Sequence, residues 1–254
     1  MEKPIVIYTD HIMNKTLCYN FAKGSDSLLC HVNNFKEFDK TIATYGFKRG
    51  TGDLLKKVKN FYYMDHGYFN QSTRNFENKS TTLYNFNGYF RISFNDFWHD
   101  GLGNRPDDRF RKLNINLKDT KKTGEYIILS EPSEGSKNYF NLHNWVKITK
   151  DEIKKYSDRE IVVHNKFSEI PLKSLLEKAF AFVSCQSTAG FQAIAEGVPA
   201  YFTHKSLKKF GNIVDIEKNQ LNYDVLYAAA NSQWQLKEFF SDEFKLYIDK
   251  IISK

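Results

Sequence analysis

A turn at the end of one strand carries the sequence pattern best suited to chemistry. An apolar run ends at Ser184, and Ser187 and Thr188 then precede a helical sequence that begins at Ala189. The free N–H groups at a helix start and the positive end of its dipole favour a bound phosphate, and two hydroxyls add donors. The pattern therefore predicts phosphate binding here. The competing interpretation is that Ser187 simply caps the helix.

The helix after this turn adds two polar side chains. Gln192 and Glu196 stand four residues apart and therefore share one face of the helix, from which we expect them to reach ribose or sugar hydroxyls. The simpler interpretation is a surface helix that ends at the Gly197 to Pro199 turn.

Two other predicted strands also end in polar residues. His164 closes an apolar strand and Lys166 follows it, a pair suited to binding or protonating a leaving phosphate. Ser130 and Ser133 belong to a polar turn that could close over a nucleotide. The alternatives are a structural histidine and an ordinary surface loop.

An acidic residue marks the corresponding point in the first part of the chain. Asp65 comes directly after an apolar strand and before a turn at Gly67. A carboxylate there can take a proton from an attacking hydroxyl and act as a general base in group transfer. We therefore count Asp65 and its neighbour His66 as candidate catalytic residues. The alternative is an aspartate that caps the turn beside an exposed histidine.

Three basic residues are candidates for the acceptor side. Lys48 and Arg49 stand in a glycine-punctuated turn, and Arg91 stands in an aromatic strand. The basic cluster of Lys48 and Arg49, like a second one at residues 105–112, could face an anionic substrate. Taken alone, such residues are commonly solvated surface. The sequence has no Asp-x-Asp pair and no Cys/His grid, so we expect no metal in the site.

The elements that must position these residues alternate between strand and helix. This alternation predicts an α/β fold with mainly parallel strands, whose ligands bind beyond the carboxyl ends. The economical architecture is two Rossmann-like halves facing a central cleft. We expect residues 1–122 to form the N-terminal half, with a loop-rich aromatic insert from about 70 to 122, and residues 123–254 to form the C-terminal half, closed by helices at 228–252.

Composition narrows the class of protein. The chain has 254 residues, of which 41% are hydrophobic and 16% aromatic, enough to fill a core and inconsistent with disorder. We expect no membrane span and no signal peptide, because no long apolar run occurs and the N-terminus enters a strand pattern directly. Three cysteines with no CxxC pair favour a reducing compartment, hence the cytoplasm. The net charge of +7 permits an anionic partner.

Taken in order, these motifs resemble the capsular-polysaccharide (Kdo-transferase-like) glycosyltransferases of the two-Rossmann GT-B fold. The resemblance covers roughly residues 40–205. It rests on the segment 45–50, on Asp65-His66-Gly67, on His164-Asn165 at the family's His-Pro motif, and most closely on residues 184–202. It implies an acceptor-binding first half and a second half that binds a nucleotide sugar. The implied donor-binding residues are His164, Lys166, Ser184, Ser187, Thr188, Gln192, Glu196, Ser130 and Ser133.

The chain departs from the family pattern at three positions. His66 replaces an acid, Asn165 replaces proline and Gln192 replaces glutamate. The donor therefore stays open among CMP-Kdo, another CMP-sugar and a UDP-sugar. The segments 65–69, 89–92 and 228–239 also resemble bacteriophage-encoded relatives. That similarity implies a hydroxymethylated pyrimidine in phage DNA as acceptor, in the host cytoplasm, in place of a surface or capsular glycan.

The leading prediction is a metal-independent glycosyltransferase that uses a UDP- or CMP-sugar as co-substrate and needs no other cofactor. A sugar-nucleotide epimerase is the first alternative, because such enzymes share this fold and a similar turn. A non-catalytic DNA- or glycan-binding protein on a degenerate GT-B scaffold is the second. The sequence has no P-loop, no GxGxxG after the first strand and no GxSxG elbow, which argues against the corresponding enzyme classes.

Overall fold

The computed structural model describes residues 3–71, 73–76, 82–98, 108–120 and 123–252. The strands, in chain order, are β1 (Ile5–Tyr8), β2 (Leu29–His31), β3 (Ile42–Tyr45), β4 (Phe61–His66), β5 (Thr73–Phe76), β6 (Thr82–Asn85), β7 (Tyr89–Phe94), β8 (Tyr126–Ser130), β9 (Glu160–His164), β10 (Ala179–Ser184), β11 (Ala200–Phe202) and β12 (Gln233–Gln235). The α-helices are α1 (Ile12–Ser25), α2 (Thr51–Leu55), α3 (Asp108–Arg111), α4 (Glu134–Phe140), α5 (Trp145–Ile153), α6 (Leu172–Leu176), α7 (Ala189–Ala195), α8 (Asp224–Ala230) and α9 (Asp242–Ile252). Short 3₁₀ segments lie at Val32–Asn34, Lys208–Phe210, Ile213–Lys218 and Leu236–Phe240.

The chain divides into two compact units. The first contains residues 1–100 together with 229–254, and the second contains residues 101–228. This differs from the predicted division at residue 122, because the C-terminal segment packs with the first unit: β12 pairs antiparallel with β7. The predicted insert at 70–122 contains β5, β6, β7 and α3. Within it, residues 72, 77–81, 99–107 and 121–122 lie outside the described residues.

The first unit is built on a six-stranded sheet with the order β12-β7-β4-β3-β1-β2. The strands β2, β1, β3 and β4 are parallel, whereas β7 and β12 extend the sheet in antiparallel fashion. The chain leaves β1 toward β2 on one side and returns to β3 on the other. The loops that follow β1 and β3 therefore diverge, and this divergence opens a crevice at the carboxyl edge.

Helices cover the two faces of this sheet. On one face Phe21 of α1 contacts Tyr62 of β4, as well as Phe239 and Phe244 of the C-terminal segment. On the other face α2 contributes Leu54 to a core cluster with residues of β1, β3 and β4. Burial on both faces explains why the central strands are continuous apolar runs.

The second unit contains a fully parallel four-stranded sheet with the order β11-β10-β8-β9. Its central strand β10 is buried along its whole length. The register aligns the ends of three neighbouring strands, because Ser184 lies opposite Ser130 and Ser130 opposite His164. Here the chain leaves β8 toward β9 and returns to β10, so the loops after β8 and β10 diverge.

The predicted α/β class with parallel sheets is confirmed. In the described part of the chain, no helix combines the length and apolar character that crossing a membrane requires. Each unit described above has its own crevice at the carboxyl edge of its sheet, which is where the sequence placed the candidate residues.

The packing of α1 against the C-terminal segment generates a stability prediction. A Cβ atom at Gly24 would lie 2.2 Å from the carbonyl oxygen of Phe239. We expect Gly24→Ala to lower the free energy of unfolding by about 2 kcal/mol, measured by urea denaturation, because backbone must move to admit the methyl group. Lys15→Ala, on the exposed face of α1, is the control.

The sign of the change in the free energy of unfolding tests whether backbone lies this close to Gly24. Alanine raises helix stability over glycine by about 1 kcal/mol where nothing obstructs it. A Gly24→Ala variant more stable than the parent would therefore contradict the close approach of the C-terminal segment.

Candidate functional site

A cleft of about 230 Å³ lies at the carboxyl edge of the first unit. Its walls come from the loops after β1 and β3 and from the end of β4. The lining residues are Thr9, His11, Met13, Asn14, Tyr45, Gly46, Phe47, Lys48, Arg49, Tyr63, Asp65 and His66. The sequence-predicted pair Asp65 and His66 is thus in the cleft, together with Lys48 and Arg49.

Asp65 is held by three hydrogen bonds. Its Oδ2 accepts from the Tyr63 hydroxyl at 2.8 Å and from Arg91 Nη2 at 3.0 Å, and its Oδ1 accepts from the backbone N–H of His66 at 2.8 Å. Burial, with the nearby carboxylate, raises the pKa of Tyr63 well above its usual range, so the phenol stays protonated and donates. The Asp65 side chain is 24% exposed, and Asp65 lines the cleft.

Arg91 lies beneath this carboxylate. The register of β4 and β7 places it directly opposite Asp65, and only 8% of its side chain is exposed. Its guanidinium stacks 4.0 Å from the Trp98 ring centroid and 5.5 Å from that of Tyr68. Burial opposes the charge, but Asp65 and the surrounding tyrosines raise the pKa of the guanidinium overall. Contrary to the expectation that it faces a substrate, Arg91 is buried against Asp65 and is not among the residues that line the cleft.

His66 and the loop after β3 form the rest of the cleft wall. The Nε2 atom of His66 lies 3.0 Å from the Tyr45 hydroxyl. Lys48 and Arg49 are exposed at the rim. The loop turns through left-handed backbone at Gly46, Arg49 and Gly50. A non-glycine residue pays about 1 kcal/mol for that conformation, so Arg49 is held by the geometry of the loop.

Asn14 is a site residue that the sequence analysis missed. It is 3% exposed, accepts a hydrogen bond from the Thr9 N–H at 2.7 Å and donates to the Tyr45 carbonyl at 2.8 Å. It therefore ties the loop after β1 to the end of β3. The available signal was a lone amide in the otherwise apolar stripe that continues with Cys18 and Phe21.

A second cavity, of about 320 Å³, lies at the carboxyl edge of the second unit. Five of the nine predicted donor-binding residues line it, namely Ser130, Ser133, His164, Lys166 and Ser187. They come from the last residues of β8 and β9 and from the loops after β8, β9 and β10, which the register of the sheet brings side by side. Ser184, which is fully buried, lies beneath them.

The turn after β10 is shaped by its own hydroxyls. Ser184 Oγ accepts from the Ser187 N–H at 3.3 Å, and Ser187 Oγ accepts from the Ala189 N–H at 3.2 Å. Thr188 occupies the N-cap position and makes no side-chain cap bond. Ser187 therefore satisfies an N–H group of the first helical turn although Thr188 is the N-cap residue, and its hydroxyl keeps the capacity to donate one hydrogen bond.

Besides Ser184, three predicted residues are not among those that line this cavity. Thr188 is partly buried, and Gln192 is exposed further along α7. Glu196 forms an ion pair with Lys118 at 2.5 Å, near the opposite end of the helix. The expectation that Gln192 and Glu196 serve a ligand on this turn is therefore not matched by their placement, because they stand at or beyond the last turn of a seven-residue helix.

A charged network in the same cavity was missed by the sequence analysis. Lys137 Nζ lies 2.6 Å from both Glu131 Oε1 and Glu134 Oε1, and Asn165 Nδ2 donates to Glu131 Oε2 at 3.2 Å. The hydrogen bond from Lys137 holds the pKa of Glu131 below its usual range. Among the residues that the structure describes, no group of three or more His, Cys, Asp or Glu side chains is placed to hold a metal ion.

A third cavity, of about 590 Å³, lies elsewhere in the second unit. Its walls are largely apolar and include Trp145, whose Nε1 donates to Thr203 Oγ1 at 2.8 Å, and Ile148, which is 64% exposed. Gln186 lines this cavity and Ser187 lines the second one, so the turn after β10 contributes to both.

The buried ion pair of the first unit can be tested by substitution. We expect Arg91→Met to lower the free energy of unfolding by about 2 kcal/mol in urea denaturation, because Asp65 loses its charged partner in a largely buried setting. Lys48→Met removes the same charge from the exposed rim and is the control. Equal stability of the two variants would contradict the role assigned to Arg91.

Comparison with known proteins places this fold beside glycosyltransferases. One similar solved structure is Thermosulfurimonas dismutans KpsC, beta Kdo 2,4 transferase, with 11% identity, a TM-score of 0.51, and coverage of 91% of this chain and 90% of that one. Another is KpsC, beta Kdo 2,7 transferase, from the same organism, with 11% identity and a TM-score of 0.50. This match covers 97% of this chain and 99% of that one. No protein-family model and no curated protein matches the sequence. At 11% sequence identity, the likeness to these structures establishes the fold alone.

Proposed function

We propose that this protein is a glycosyltransferase that moves a sugar from a nucleotide-sugar donor to a hydroxyl of a glycan acceptor. The observation that carries the proposal is that the candidate residues line cavities where this kind of fold binds its ligands. Asp65 and the hydroxyl-rich turn after β10 each line a cavity at the point where parallel-strand loops diverge, in a chain whose fold is like that of two Kdo transferases.

The donor belongs to the second unit in this proposal. Ser187 and Ser133 supply hydroxyl donors to the phosphate, and Lys166 and His164 lie in the same cavity to offset the charge that develops on it. The proposed donor is a CMP-sugar or a UDP-sugar. We also propose that the enzyme is of the GT-B type and needs no metal ion.

The acceptor belongs to the first unit. The oxygen of the acceptor hydroxyl forms a bond to the anomeric carbon of the donor, while the Asp65 carboxylate takes the proton of that hydroxyl. The bond from that carbon to the phosphate oxygen breaks, and the nucleotide leaves with the electron pair. Arg91 and Tyr63 fix the carboxylate during this step, while Lys48 and Arg49 at the rim meet anionic groups of the acceptor.

A glycan is the acceptor we favour. The two similar structures are named as Kdo transferases, which supports a sugar acceptor. The earlier expectation of hydroxymethylated phage DNA finds no support in these comparisons, and the net charge of +7 alone does not separate the two. A panel of acceptors in the transfer assay decides between them.

Substitutions at the two cavities should separate binding from chemistry. We expect Ser187→Ala to weaken binding of CMP or UDP about fivefold in calorimetry, because one hydrogen bond to phosphate is lost. Ser174→Ala, on the exposed side of α6, is the matched control. Loss of affinity in both variants, or in neither, would count against a donor site at this turn.

Asp65→Asn should retain nucleotide binding and slow sugar transfer by at least about 100-fold, because the amide cannot accept the proton. Transfer is measured by mass spectrometry of the acceptor, with Asp53→Asn as the matched control, because Asp53 is the exposed residue of α2. Transfer at the parent rate would remove Asp65 from the mechanism. Isomerised donor in the absence of any acceptor would identify an epimerase instead.

A further inference from the structure

Phe167 is an unusual residue on the rim of the second-unit cavity. Its side chain is 81% exposed, the highest value among the large hydrophobic residues in the described part of the chain. It nevertheless lines the cavity that also contains Ser130, Ser187 and His164. Single exposed hydrophobics are common, so the exposure alone says little. The hydrogen bonds of its loop and the contacts of the neighbouring residues give stronger evidence of a binding role.

The loop that carries Phe167 is fixed by hydrogen bonds. Asn165 Oδ1 accepts from the Phe167 N–H at 2.9 Å, and Ser168 Oγ accepts from the Asn165 N–H at 3.0 Å. The ammonium of Lys166 lies 4.6 Å from the ring centroid. The ring is therefore presented by a constrained turn, at a small cost in conformational entropy, and its exposed surface is available for stacking on a planar group.

Asn165 also connects this loop to a carboxylate inside the cavity. Its Nδ2 donates to Glu131 Oε2 at 3.2 Å, while Lys137 occupies Glu131 Oε1 at 2.6 Å. Each carboxylate oxygen has about two acceptor positions, so roughly half of the acceptor capacity of Glu131 remains unused by these contacts. Lys137 keeps the group ionised by lowering its pKa. An ionised carboxylate that cannot donate selects for hydroxyl or amino donors.

We propose that Phe167 and Glu131 form the nucleoside part of the donor site, in which the phenyl ring stacks on a pyrimidine base and the Glu131 carboxylate accepts hydrogen bonds from the ribose hydroxyls. The inference rests on the proposed function. It replaces the predicted ribose contacts of Gln192 and Glu196, which lie outside the lining of this cavity. Phosphate contacts stay with the hydroxyls and Lys166.

The stacking half of the proposal is tested with Phe167→Ala. We use whichever of CMP and UMP binds the parent protein more tightly and measure affinity by calorimetry. The variant should bind that nucleotide about tenfold more weakly, and Phe167→Tyr should restore binding, because stacking needs an aromatic face. Affinity for ribose 5-phosphate, which has no base, should be unchanged. Ile170→Ala, 55% exposed and outside the cavity lining, is the control.

The ribose half is tested with Glu131→Gln. For the same nucleotide we expect about tenfold weaker binding, and no change for its 2′,3′-dideoxy analogue, which lacks the hydroxyls that Glu131 would bind. Thermal melting of the unliganded variant shows whether the fold is kept. Equal losses for the nucleotide and its dideoxy analogue would overturn the ribose contact.

These outcomes separate the inference from the proposed function. A parent protein that binds none of the nucleotides would overturn the proposed function and the subsite with it. A parent that binds a nucleotide, together with a Phe167→Ala variant of undiminished affinity, would overturn the stacking role alone. A loss of affinity for ribose 5-phosphate in Phe167→Ala would likewise overturn it, because the ring would then support the loop and not the base.

Discussion

A buried arginine must be paired, and this requirement organises the first unit. Arg91 lies on a strand between two others, where an unpaired guanidinium would be costly to desolvate. Asp65 on the neighbouring strand supplies the charge, and the aromatic rings of Trp98 and Tyr68 supply the walls. The carboxylate that the arginine requires is the same one that opens into the cleft, so the structural and chemical demands on Asp65 coincide.

The C-terminal segment completes this arrangement from far along the chain. Gln233 Oε1 accepts hydrogen bonds from the backbone N–H groups of Tyr68 at 2.7 Å and of Phe69 at 3.0 Å. Gly67 leaves room for the same amide oxygen, since a Cβ atom there would lie 3.0 Å from it. The loop that follows the candidate base is therefore shaped by a side chain on β12.

Several of the residues that the sequence singled out in the second unit lie together at one cavity, because strand ends obey a simple rule. Parallel strands of matched register bring their last residues together, which is why Ser130, His164 and Ser184 align although they are distant in sequence. Gln192 and Glu196 lie outside the lining of that cavity, because helical spacing fixes a shared face of the helix and not the direction in which that face points. Glu131 was passed over because nothing local distinguishes it from an exposed loop acid.

The errors in the first unit have a different origin. The burial of Arg91 depends on a cross-strand partner and on two aromatic rings, and none of the three follows it within a few residues. The assignment of residues 229–254 to the second half relied on chain proximity, whereas β12 pairs with β7 some 140 residues earlier. Pairings of that range leave no periodic trace in a single sequence.

The discontinuity of the first unit also bears on how the protein is made. A ribosome releases residues 1–100 and then the whole of 101–228 before it releases 229–254. The second unit is continuous in sequence, so all its residues are available for folding first, while the sheet of the first unit waits with β7 as an uncovered edge. During that interval the exposed edge is open to strands of other nascent chains. Slow elongation between β7 and β12 would therefore prolong the exposure of this edge, and a holding chaperone would protect it.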